Sequence, residues 1–168
     1  MHPAADWIKI SVDGSTLSNP GPSGGGGIAR NHDGEFLFAF SSGYSFNSNG
    51  KAEIRVIWEG LSCCQGLGYI KVEVASDSKS MVESLNNIKD TPSWPMWYWW
   101  SRTRALIEGR EVIVSYSLRE SNVVVDGLAR KGKNSQSHHL FRASSDLPPV
   151  IRGLIILDRA GLGYLRGV

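Results

Sequence analysis

Cysteine is nearly absent from this chain of 168 residues, no apolar run approaches the length that crosses a bilayer, and neither sign of charge dominates. The only two cysteines, Cys63 and Cys64, are neighbours in a stretch of helical spacing, where their side chains diverge. A disulfide framework is thereby excluded and a reducing compartment fits. Eighteen basic residues against sixteen acidic ones give a net charge of +2. That balance neither demands nor excludes a nucleic-acid partner, although acids gathered in one site would leave the remaining surface more basic. The opening residues, MHPAADW, lack the charged start and apolar stretch of a secretory signal. We expect no membrane association and an intracellular protein, cytoplasmic or nuclear. There is no internal repeat, and no GxxxxGK pattern follows the glycine run at 24–27, which reads as a permissive strand or bulge rather than a phosphate cradle.

What the chain does have is apolar content of 41%, enough for one substantial core at this length, and an ordered ladder of four acids. Asp13 closes a strand over 7–13 in which Ile8, Ile10 and Val12 share one parity, so the acid faces away from the apolar row. A turn rich in Gly, Pro and Asn follows from Gly14 to Gly24, and Asp33-Gly34 reads as a hairpin between two further strands. From about Lys51 the period becomes helical through Ile54, Ile57, Trp58, Leu61 and Cys64, with Glu53 in the first turn. A strand over 71–77 then ends in Asp77, again opposite in parity to its valines, and a short helix runs from Lys79 to Asn87. Strand, helix, strand implies a crossover that lays the new strand parallel to an earlier one. If that neighbour is the first strand, Asp13 and Asp77 stand side by side at adjacent carboxyl ends, where α/β sheets bind ligands.

A helix over 94–108 leads to a strand over 111–116, and a last helix from Asn122 places Asn122, Asp126 and Arg130 on one face. The segment 131–139 reads as a loose polar tail, and Pro148-Pro149 introduces a short helix returning to the core. Taken singly, each acid has a structural reading, as turn former, helix-start charge or cap. Four in order point instead to divalent metal, because clustered carboxylates resist ionising together unless hard cations lie between them.

The strings VDGSTLSNPGPSGGGGIARNHDGE, NGKAEIRVIWEGL, ASDSKSMVESL and RESNVVVDGLARKG resemble the ribonuclease H family, in particular the reverse-transcriptase-like domains of plant retroelements. The resemblance spans residues 7–130 and implies an α/β ribonuclease H-like fold, a five-stranded mixed sheet flanked by helices. On that basis the domain covers 1–134, and 135–168 forms a tail with a short helix packing on it. It implies an endonuclease that hydrolyses the RNA strand of RNA/DNA hybrids with two Mg²⁺ ions, Mn²⁺ being an acceptable substitute. The matching positions make Asp13, Glu53, Asp77 and Asp126 the catalytic and metal-binding acids. Gly14, Ser15, Thr16 and Asn19 match the loop that approaches the minor groove, where the 2′-hydroxyl distinguishes RNA. Ser48, Asn49, Ser78, Lys79 and Asn122 complete the substrate-contacting set. The implied partners are the hybrid and an attached reverse transcriptase or other nucleic-acid-binding domain, with the chain itself a monomer of retroelement origin.

The family's mobile histidine has no counterpart, since none of the four histidines falls between Glu53 and Asp126 and Tyr116 holds the nearest place. A lysine-rich handle is also missing. Reduced turnover is therefore expected, and the alternative function is a catalytically weak or inactive nucleic-acid-binding or interaction module on the same fold. The cluster Trp94, Trp97, Tyr98, Trp99 and Trp100 is expected to bury some of its rings against the sheet, and His138 and His139 read as solvated.

Overall fold

Alternating parity along the first strand sorts the molecule into two faces. A computed structural model describes residues 6–87, 94–118 and 123–159. In chain order the elements are β1 (Ile8–Thr16), β2 (Gly21–Arg30), β3 (Phe36–Asn47), α1 (Asn49–Gly66), β4 (Val72–Ser76), α2 (Lys79–Asn86), α3 (Trp94–Ile107), β5 (Val112–Tyr116), α4 (Val123–Ser135), β6 (His139–Phe141), a 3-10 turn (Ser144–Asp146) and α5 (Pro149–Arg159). One mixed sheet holds the strands in the order β5-β4-β1-β2-β3-β6. Ile8, Ile10 and Val12 enter a large core with α1, α2 and α3, while Ile28 and Ala39 enter a second core with α4, β6 and α5.

The meander and crossover follow the sequence pattern. β1 pairs antiparallel with β2, β2 with β3, and β4 lies parallel to β1 with Val12 opposite Ser76. The sheet has six strands rather than the expected five. Of the segment 131–139, read as a loose polar tail, residues 131–135 continue α4 and His139 opens β6, which pairs antiparallel with β3, Ala39 against Phe141. An open β3 edge would leave its backbone groups unpaired, and a three-residue strand is too short to reveal itself by alternation. The turn after Asp13 is also tighter than expected: β1 continues to Thr16 and β2 resumes at Gly21, with Ser15 opposite Gly24.

The aromatic helix α3 packs chiefly on α1, and its Trp100 joins the core shared with the sheet. Trp99 meets Trp58 with ring centroids 5.0 Å apart, and Arg55 is stacked between the Tyr44 ring at 4.4 Å and the Trp99 ring at 5.0 Å. Trp100 is buried, whereas Trp97 and Tyr98 stay 44% and 50% exposed. Beneath this stack the Glu59 carboxylate accepts hydrogen bonds from the Ser42 and Tyr44 hydroxyls, each 2.5 Å long. Among the described residues no helix is long and apolar enough to cross a membrane.

Candidate active site

Glycine at position 14 lets two of the acids approach one another. A Cβ there would lie 2.8 Å from the Ala52 carbonyl carbon and 2.9 Å from the Glu53 nitrogen, so the end of β1 touches the backbone of α1 directly. Asp13, only 5% exposed, thus sits beside the helical turn that carries Glu53. That turn is the second of α1, not the first, because Ser48 caps the helix and it begins at Asn49. The Ser48 Oγ accepts the Lys51 N–H at 3.3 Å.

Asp77 arrives by the parallel register. Val12 and Ser76 are partners, so Asp13 and Asp77 are the next residues on neighbouring strands. Asp126 lies in the first described turn of α4, and α4 is drawn onto the sheet over the glycine run 24–27 of β2. A Cβ on Gly26 would fall 2.5 Å from the Leu128 Cβ and 2.7 Å from the Ala129 nitrogen, and Gly24 faces the Lys133 backbone just as closely. Gly26 is the β2 partner of Asp13. The Ser41 hydroxyl, on the adjacent strand, donates to the Leu128 carbonyl at 2.7 Å and pins the helix in place.

These placements bring Asp13, Glu53, Asp77 and Asp126, carried by four separate parts of the fold, to the wall of one cavity of about 490 Å³. Gly14, Ser15, Thr16, Asn19 and Asn49 line it too, together with Leu17, Ser18 and Tyr116. The mouth is internally braced: the Asn49 N–H donates to the Asn19 Oδ1 at 3.0 Å, and the Thr16 hydroxyl donates to the Asn49 side-chain carbonyl. Ser48, Ser78 and Lys79 are not part of the lining. Ser78 is buried with its N–H on the Ser76 Oγ at 3.1 Å, and Lys79 is exposed at the start of α2. Asn122 lies outside the described residues. Leu17 and Ser18 carry no signal of their own in the sequence and come to the cavity because their neighbours do.

The donor set is carboxylate oxygen with no histidine or cysteine in the lining, which suits hard octahedral cations over zinc. Among the described residues no three His, Cys, Asp or Glu side chains are gathered tightly enough to hold an ion. Asp126 is turned toward Arg130, whose Nε lies 3.0 Å from its Oδ2. The acids therefore share a cavity with their side chains still spread around its wall. The cysteines take no part in it: burial pushes the Cys63 thiol up to about 11 and the Cys64 thiol higher still, which keeps both protonated.

Known proteins share both this sequence pattern and this architecture. The chain is 28% identical over 131 residues to an Arabidopsis thaliana protein that bears the name ribonuclease H protein, a match covering 77% of this chain and 21% of the plant protein. It is 35% identical over 79 residues to the ribonuclease H of Helicobacter acinonychis, covering 47% of this chain and 52% of the bacterial one. The chain thus spans about half the length, or less, of these relatives. The structure of LC11-RNase H1, a protein isolated from compost and solved in complex with an RNA/DNA hybrid, superposes with a TM-score of 0.71 at 22% identity, covering 76% of this chain and 97% of that one. The sequence profile of the reverse transcriptase-like family matches residues 11–132, a span that contains all four acids and both faces of the sheet. This chain, with its ribonuclease H fold, belongs to the reverse transcriptase-like family.

Proposed function

We propose that the chain is a metal-dependent ribonuclease that hydrolyses the RNA strand of RNA/DNA hybrids. The observation that carries this reading is the single cavity lined by Asp13, Glu53, Asp77 and Asp126. In this reading those four carboxylates hold two divalent ions, Mg²⁺ first and Mn²⁺ as substitute. The ions would supply an activated water and charge neutralisation at the departing oxygen. Asp13, the buried member of the lining, would be one of the carboxylates that receive the ions. Ser15, Thr16, Asn19 and Asn49 line the same cavity, and their hydroxyl and amide groups offer donors and acceptors to a 2′-hydroxyl in a shallow groove. Tyr116 also lines the cavity, and its phenol can donate to a phosphate oxygen. Ser78, Lys79 and Asn122 extend the substrate-contacting set along the backbone track.

The same reading makes residues 1–134 the ribonuclease H-like unit and 135–168 a tail with a short helix packing on it, and derives the chain from a retroelement polyprotein. A reverse transcriptase or another nucleic-acid-binding domain would raise its affinity for hybrid. We assign it to the cell interior as a monomer. A second reading, a weak or inactive hybrid-binding module, is favoured by Tyr116 at the cavity wall where the family resemblance calls for a histidine, and by the hold of Arg130 on Asp126. One assay separates them. Hybrid whose RNA strand is cut only with Mg²⁺ present, and not by Asp13→Asn, supports the enzyme. Hybrid bound with equal affinity with and without Mg²⁺, and never cut, assigns the chain to the module.

A further inference from the structure

The turn that joins β1 to β2 carries a leucine to the acidic cavity. Leu17 lines that cavity, is 72% exposed and belongs to neither apolar core. Among the described residues it is the only aliphatic side chain of the lining, which otherwise consists of acids, glycine, hydroxyls, amides and Tyr116. The turn is held from within. The Leu17 N–H donates to the Pro22 carbonyl at 2.9 Å, and the Ser18 hydroxyl donates to the Pro20 carbonyl at 2.9 Å. The Thr16 hydroxyl and the Asn19 side-chain carbonyl are both engaged by Asn49 of α1. A Cβ on Gly21 would lie 2.5 Å from the Ser18 Oγ, so the turn closes tightly on itself. Its polar side chains thus spend part of their hydrogen-bonding capacity on one another and on α1. The Leu17 hydrocarbon is the surface that the turn does not use.

We infer that Leu17 is a specificity-determining residue, packing on the sugar edges of a wide, shallow minor groove and thereby favouring an RNA/DNA hybrid over duplex DNA. This rests on the proposed reading of hybrid as the substrate. A two-stranded β-ribbon fits a groove about 12 Å wide but not the ~6 Å minor groove of B-form DNA. A heteroduplex has A-form geometry, whose minor groove is wide and shallow and displays sugars and 2′-hydroxyls. There the β1–β2 turn can enter far enough for Leu17 to meet ribose carbons, the apolar part of an otherwise polar wall. Apolar side chains are a recurrent means of engaging a minor groove. Leucine has no hydrogen bond to offer a base edge, so the contact reads groove shape and not sequence.

The test compares the full-length wild type with Leu17→Ser and Leu17→Met. Fluorescence anisotropy in Ca²⁺ reads binding to a labelled hybrid and to duplex DNA of the same sequence, and steady-state cleavage in Mg²⁺ gives kcat and KM. Leu17→Ser is expected to weaken hybrid binding and raise KM about tenfold, with kcat and affinity for duplex DNA held, and Leu17→Met to restore the wild-type values. An equal loss on both duplexes, or a fall in kcat with KM held, would show that the leucine merely supports the turn and overturns the inference. So does a serine variant indistinguishable from wild type, and if that variant cuts hybrid normally the nuclease reading stands without it. Hybrid bound through Leu17 but never cut refutes the nuclease reading and leaves the contact in place. A wild type that binds no hybrid overturns both.

Discussion

Arg130 holds Asp126. Its Nε lies 3.0 Å from the Asp126 Oδ2, one helical turn along α4, and Asp126 lines the acidic cavity while Arg130 stands outside the lining. An ion that uses both oxygens of Asp126 must compete with this guanidinium. Exposed pairs at this spacing contribute about 0.3–0.5 kcal/mol, so Arg130→Ala is expected to tighten Mg²⁺ or Mn²⁺ binding about twofold by isothermal titration calorimetry. Looser binding in the variant would show that the arginine orients the carboxylate for the ion instead.

Gly14→Ala tests the contact between β1 and α1. The added methyl meets backbone atoms of Ala52 and Glu53 at 2.8–2.9 Å, and backbone cannot swing aside as a side-chain tip can. The expected loss is about 1–3 kcal/mol in denaturant titration, with hybrid cleavage falling on the order of a hundredfold because Asp13 and Glu53 are pushed apart. Full cleavage in a destabilised variant would show that their spacing does not matter to the reaction.

Tyr44 sets the alkaline limit of the fold. Burial, reinforced by the Glu59 carboxylate, holds its phenol well above the ordinary 10.0. A folded-state value raised above the unfolded one means that stability is fully present below about pH 10 and falls as pH rises beyond it. Urea titrations across that range should show the decline in the wild type and a shallower one in Tyr44→Phe. The variant should also lose about 1–2 kcal/mol at neutral pH, since Glu59 keeps the Ser42 bond alone.

Ending the chain after Ser135 removes β6 and α5, and with them Phe141, Leu147, Ile151 and Ile155 from the second core. Ile28, Val124 and Leu128 then face water. Loss of one large aliphatic side chain from a core costs about 2–5 kcal/mol, so removal of four groups is expected to abolish cooperative thermal unfolding and to produce dye-binding apolar surface. A truncated chain that melts as sharply as the full one would show that α4 holds to the sheet unaided.

The placement of Asp13 and Asp77 is legible in the sequence because parity and crossover are both local rules, and together they lead to the Val12–Ser76 register. The start of α1 is harder to read. Asn49 and Gly50 are poor helix formers, and it is the Ser48 cap that lets them begin the helix and moves Glu53 into its second turn. The partner of α3 is hidden for a different reason: helical spacing shows that rings share a face, but the Trp58 and Arg55 surface that receives them belongs to a distant helix. β6, three residues long, is too short for alternation to distinguish it. A lone leucine in a turn has no periodicity to mark it, and only the folded turn brings Leu17 to the acids.

Bare backbone at Gly26 makes the separation between Asp13 and the Asp126 helix a matter of main chain resting on main chain. Spacers built of side chains compress, rotate and drift as a core is repacked; peptide planes in van der Waals contact do not. On this side the width of the acidic centre is therefore set by how closely a strand and a helix can approach.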